Sequence, residues 1–176
     1  MKLLGKLAAF LLLLLTLIVF FLPKQSLYYE AEKLLKDQRV ILSGEHADDT
    51  GLQLVIEGGA LYYEDLKVAE LSEITLTPWF LFNRIAAAPF TLSKEMSSFL
   101  PPAIDSVSLQ YTVFDPLHVT AEAAGAFGTL SGKIGLADRR MVFDLNASKQ
   151  LLGASPFWLR QFKKTSEGVY RYESAY

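Results

Sequence analysis

The side chains able to do acid–base or metal chemistry are few. The chain of 176 residues has two histidines, His46 and His118, and no cysteine. His46 stands beside Glu45, Asp48 and Asp49, a donor set that a divalent cation accepts. The spacing is not that of a metal-binding frame, and Asp48-Asp49-Thr50-Gly51 is also ordinary turn chemistry. His118 alternates with Leu117 and Val119, which puts it on the wet face of a strand. No serine lies in a G-x-S-x-G frame. Gly125, Gly128, Gly132 and Gly135 form no phosphate loop, because no G-K-[S/T] follows. Glycines inside strands instead mark bulges or curvature. Asp105, Asp115, Asp138 and Asp144 are scattered over expected turns and wet faces, and nothing selects a pair. Without cysteine there is no disulfide framework, thiolate nucleophile or Cys-ligated metal. The reading is a protein that is not an enzyme, with no catalytic residue, no metal and no cofactor. A net charge of −2 and a pI of about 5.7 argue against nucleic acid as a partner.

The elements begin with an apolar run. Leu7 to Leu22 is uncharged and unbroken. Counted from Leu3 it spans about 30 Å as a helix, the thickness of a bilayer's hydrocarbon core. Leu7, Phe10, Leu13, Leu17, Phe20 and Leu22 are its candidate anchor residues. Lys2 and Lys6 precede the run, so the positive-inside rule leaves the N-terminus in the cytoplasm. The run ends in Phe20-Phe21-Leu22-Pro23-Lys24, without the small residues of a cleavage site. Residues 1–25 therefore read as an uncleaved single-pass signal anchor that contacts membrane lipids, with a cleaved signal peptide as the competitor.

Residues 26–38 read as a juxtamembrane helix, N-capped by Ser26, with Leu27, Ala31, Leu34 and Leu35 on one face. From Arg39 the period changes to two. Leu52, Leu54 and Ile56 alternate with Gln53, Val55 and Glu57. Leu109, Tyr111, Val119, Phe143 and Leu145 lie in similar alternations, each on the apolar side of its strand. These five are candidates for core or for an apolar groove. Turn signals at Asp48–Gly51, Gly58-Gly59, Asp115-Pro116, Ala124–Gly128 and Ala137–Arg140 separate the runs. The fold class is mainly β, with residues 39–176 forming one antiparallel sheet, curved or rolled as a sandwich or half-barrel, plus two or three short helices.

Two segments break the pattern. Pro78–Pro89 holds Trp79, Phe80, Leu81, Phe82 and Ile85, too apolar for an exposed loop. It continues a strand, covers the sheet or meets the membrane. Thr91–Leu100 reads as a short helix stopped by Pro101-Pro102. Near the C-terminus a short helix is expected from Ser155, with Pro156 at its first position and Phe157 and Trp158 in it. Trp79, Phe80, Phe82, Phe157 and Trp158 are candidates for partner or membrane contact.

The order of these features carries a resemblance. An anchor ending in Leu22-Pro23 and a short helix precede Val40-Ile41-Leu42-Ser43-Gly44. Gly59-Ala60-Leu61-Tyr62-Tyr63, Ile74-Thr75-Leu76-Thr77-Pro78 and Leu109-Gln110-Tyr111 follow. Then come Pro116-Leu117-His118-Val119, Gly128-Thr129-Leu130-Ser131-Gly132-Lys133-Ile134 and Glu167-Gly168-Val169-Tyr170. The chain resembles the general secretory pathway protein N family of bacterial type II secretion, itself similar to the periplasmic β-domains of AsmA-like and LptC-like envelope proteins. The resemblance implies an inner-membrane protein with a periplasmic β-domain and a non-catalytic structural or assembly role beside other inner-membrane or periplasmic subunits. The AsmA-like and LptC-like side of it implies the alternative, a lipid ligand held in an apolar β-groove.

Overall fold

The computed structural model describes residues 2–93, 103–154 and 157–176, without the side chains of residues 154, 157 and 158. Two helices lead. α1, Lys2–Phe21, is apolar on every side and 20 residues long. It has the length and composition to cross a membrane. Leu22 and Pro23 break it, and α2, Lys24–Asp37, follows. The second helix therefore begins two residues before Ser26, which lies inside it and caps nothing. Pro23 supplies the restricted φ of a helix start and lacks the amide that a first turn leaves unpaired. Arg39, at φ 63, turns the chain out of α2 and pairs with Glu64.

The rest is one antiparallel sheet. Its strands are β1 Val40–Ser43, β2 His46–Asp49, β3 Leu54–Glu57, β4 Ala60–Tyr63, β5 Leu66–Leu71, β6 Glu73–Pro78 and β7 Phe82–Ala87. Then come β8 Phe90–Leu92, β9 Ala103–Thr112, β10 Asp115–Gly125, β11 Gly128–Gly135, β12 Arg140–Ala147, β13 Lys163–Lys164 and β14 Tyr170–Ala175. The first eight are halves of four longer segments, β1/β2, β3/β4, β5/β6 and β7/β8. Each is bent where only one or two residues separate the halves. At the second bend Gly58 and Gly59 have φ of 71° and 108°, which side chains with a Cβ rarely adopt.

With the halves joined, every segment pairs with the next in sequence, from β1/β2 through β12 to β14. The topology is a meander with mostly short connections; the long one, residues 148–169 between β12 and β14, carries two short helices and β13. The bends roll its first part around one core. Leu42, Leu54 and Ile56 are buried there against Tyr28 of α2 and Leu61, Leu71, Ile74 and Leu76 of the facing strands. A second core lies at the far end of the meander, where Phe127, Leu145 and Leu151 are buried with Leu159 and Phe162. Leu151 belongs to α3, Lys149–Ala154, and Leu159 to a 3-10 helix, Phe157–Gln161. Ser148 caps α3 by accepting the Leu151 amide at 3.1 Å.

Several expectations change. The helix expected near Ser155 becomes α3 before it and the 3-10 helix after it, while Ser155 and Pro156 lie outside the described residues. Thr91 and Leu92 belong to strand β8, and residues 94–102 lie outside the described residues. The expected corner at Asp115-Pro116 is already strand. The chain reverses at Val113-Phe114, and Asp115 pairs with Thr112. A proline fits there because the first residues of a strand can lack a ladder donor. Pro78–Pro89 is mostly strand, the hairpin of β6 and β7.

Candidate functional site: an apolar trough on the inner face

Directly opposed residues of antiparallel strands share a face, so the register reads out the two faces of the sheet. One row crosses it as Leu76, Ile85, Leu109, Ala121, Gly132, Phe143 and Tyr172. The next row toward the α1 end runs Asn83, Tyr111, Val119, Ile134 and Met141. Val113, Leu117 and Leu136 follow at that end, Val113 and Leu136 in the turns, and all three are exposed. The row on the other side contains Val107, Ala123, Leu130 and Leu145 and disappears beneath α3 and the 3-10 helix.

Between the two cores this apolar surface is only partly covered. Leu109 is 36% exposed and Ile85 47%. Ala121 and Gly132 keep the floor low, and the Phe143 ring lies so close over Gly132 that an added Cβ would fall 2.4 Å from it. On one side α2 forms the wall. Leu27, Tyr28, Ala31 and Leu35 face Leu76, Pro78 and Ile85 across a cavity of about 410 Å³. The Tyr28 hydroxyl donates to Glu45 at 3.0 Å. Burial first, and then this bond to a carboxylate, raises its pKa above the ordinary 10.0. The Tyr28 phenol is therefore neutral, and Lys24, Glu32 and Arg84 also border the cavity. The cavity is mostly apolar, and the strip beyond it is partly exposed at Ile85 and Leu109.

The opposite face is polar. Ser108, Glu122, Ser131, Asp144 and Arg171 lie in one row across it. Arg171 donates to both carboxylate oxygens of Asp144, at 2.7 and 2.8 Å. That bond outweighs partial burial, which acts the other way, and holds the Asp144 carboxyl below its ordinary 3.8. A lowered folded-state pKa stabilises above the unfolded value and ceases to do so as pH falls through the folded one. NMR titration of the carboxyl carbon is expected to place Asp144 below the ordinary range. Arg171→Gln is expected to bring it back up. Asp115 is lowered in the same sense, first by His118, 2.6 Å away, and then by Lys133.

The five groove or core candidates thus share one face, but not one fate. Leu109, Tyr111, Val119 and Phe143 line the trough, while Leu145 is sealed in the second core. Leu7, Phe10, Leu13, Leu17 and Phe20 are exposed along α1, and Leu22 sits half-buried in the break before α2. Trp79 and Phe82 flank the β6–β7 turn, their rings stacked at 6.3 Å, with Phe80 exposed between them. Phe157 and Trp158 open the 3-10 helix, and their side chains lie outside the described ones. His46 and Asp48 lie on β2, His46 opposite Glu57, while Asp49 is taken by Lys24 at 3.2 Å. Among the described residues no three His, Asp or Glu side chains are placed to hold a metal ion.

Sequence reading missed Ile85 and Ile134 as floor residues and the α2 face as a wall. Ile85 carried a signal, in the apolar excess of its segment. Ile134 carried one too, alternating with Leu130 and Leu136 against Thr129, Ser131 and Lys133. No family model, curated protein or solved structure matches the chain.

Proposed function

We propose that the chain is a membrane-anchored, non-catalytic binding subunit of a bacterial secretion or envelope-transport machine, of the type II secretion kind. In this reading α1 holds it in the inner membrane with the N-terminus in the cytoplasm, and the β-domain works in the periplasm. The observation that carries the reading is the uncovered apolar strip between two closed cores. A surface of that kind is costly to leave facing water and marks a place where something docks. An apolar segment of a neighbouring subunit fits it.

A second reading has its own support. Beyond the trough, the exposed Val113, Leu117 and Leu136 lie at the end of the sheet at which α1 joins it. A lipid acyl chain would enter from that side without crossing water. A photocrosslinking residue in place of Leu109, in the full chain in its own membrane, separates the two. A discrete adduct with one polypeptide is expected. A lipid adduct would transfer the function to the second reading, and no adduct of either kind would contradict both.

A further inference from the structure

The meander sorts its turns by end. The turns at residues 50–53, 79–81, 113–114 and 136–139 all lie at one end of the sheet, and those at 64–65 and 126–127 lie at the other. α1 joins the first end. A Cβ at Gly51 would fall 2.3 Å from the Phe20 ring, so that ring packs flat on the turn, and Gly51, at φ 87°, leaves the room. The Lys24 ammonium, 3% exposed as a residue, holds Asp49 of the same corner at 3.2 Å. Val19 is buried as well. Only Leu22 and Pro23 lie between the helices, so the corner at Asp49–Gly51 sits beside the end of α1.

Three of the four turns on the rim at the α1 end are apolar: residues 50–53, 79–81 and 113–114 contain no charge, while the fourth, 136–139, carries Asp138 and Arg139. Phe114 is 81% exposed and Leu81 55%, with Phe80, Val113 and Leu117 also exposed. The middle tips are tied together, the Val113 amide donating to the Leu81 carbonyl at 3.0 Å. At the opposite end the tip at 64–65 is Glu64-Asp65, and the apolar one at 126–127 tucks Phe127 into the second core, where it is 6% exposed. Aromatic side chains, tryptophan above all, favour the boundary between lipid and water.

We propose that this rim is a second membrane contact. The tips at residues 79–81 and 113–114 dip Phe80, Leu81 and Phe114 into the interfacial layer of the same phospholipid bilayer that α1 crosses, with Trp79 at the headgroups. The sheet then stands on the membrane at two places instead of swinging from one helix, and the mouth of the trough is held at the lipid surface. The proposal rests on α1 being a membrane span.

The absence of cysteine makes single-site labelling clean. Full chains carrying Phe114→Cys, Leu12→Cys or Asp65→Cys, each bearing an environment-sensitive nitrobenzoxadiazole dye, are placed in phosphatidylcholine–phosphatidylglycerol vesicles with doxyl-labelled lipids. The expected result is quenching of the Phe114→Cys dye by shallow doxyl groups, quenching of the Leu12→Cys dye by deep ones, and none at Asp65→Cys. Quenching at Leu12→Cys with none at Phe114→Cys keeps the anchor and overturns the rim contact. A Phe114→Cys dye shielded from water yet unquenched makes the rim a protein contact, which also overturns it. No quenching at Leu12→Cys removes the anchor and the proposal with it.

Discussion

Leu54→Ala is expected to lower the unfolding free energy by about 3 kcal/mol, measured by urea denaturation of the full chain in detergent with circular dichroism. Leu54 has no exposed surface and stands at the centre of the rolled core, against Leu42 and Ile56 and the strands that face them. The bends give the site little freedom to collapse. Four segments would have to move together to fill the space, so the cavity persists and adds to the lost transfer energy. Leu109→Ala removes the same atoms from a residue 36% exposed on the trough floor. Its cost is expected to be about 1 kcal/mol or less. The contrast between two leucines on one sheet separates core from binding surface without knowledge of any ligand.

Asp49→Ala is expected to cost about 2 kcal/mol, because it strands a charge. The Lys24 side chain is 2% exposed, and its ammonium rests on Asp49 at 3.2 Å and on the Leu22 carbonyl at 3.3 Å. Removing one member of a buried pair costs about 3–5 kcal/mol. Asp49 is itself 25% exposed, and water reaching the site reduces that figure. The carboxylate also accepts the Gly51 amide at 2.9 Å. The same substitution therefore loosens the turn against which Phe20 packs. A thermodynamic cycle isolates the charge. In a Lys24→Met background, where an apolar chain of similar length fills the site, Asp49→Ala is expected to cost less than half as much. Equal costs in both backgrounds would mean that the turn, and not the ion pair, joins helix and sheet.

The meander was legible wherever one face of a strand was wet. The alternations through Leu54, Leu109, Val119 and Phe143 lie on strands and face as expected, because a period of two has only one way to sit on a half-buried sheet. The bends were not legible. Gly58-Gly59 read as a chain reversal, but positive φ at two glycines also serves a strand that changes direction and goes on. Asp48–Gly51 read as a turn; Thr50 and Gly51 are in one, while pairing with β3 and the Lys24 contact keep Asp48 and Asp49 in strand. The trough was half legible. Its floor residues announced their shared side, but which of them stay uncovered depends on α2 and α3, and helix placement is long-range packing that no local pattern encodes. For that reason Leu145, indistinguishable from Phe143 in the sequence, ended as core.

The central claim is that the trough is kept open for a partner. Native mass spectrometry of the full chain, released gently from its own membrane, tests this most directly when wild type and Leu109→Asp are compared. The account predicts a stoichiometric companion on the wild type, a polypeptide in the first reading and a lipid in the second. It predicts that Leu109→Asp loses that companion while keeping its circular dichroism spectrum. A bare wild-type chain, or a Leu109→Asp chain that unfolds, would contradict it. The first would mean that nothing docks, and the second that the strip is core.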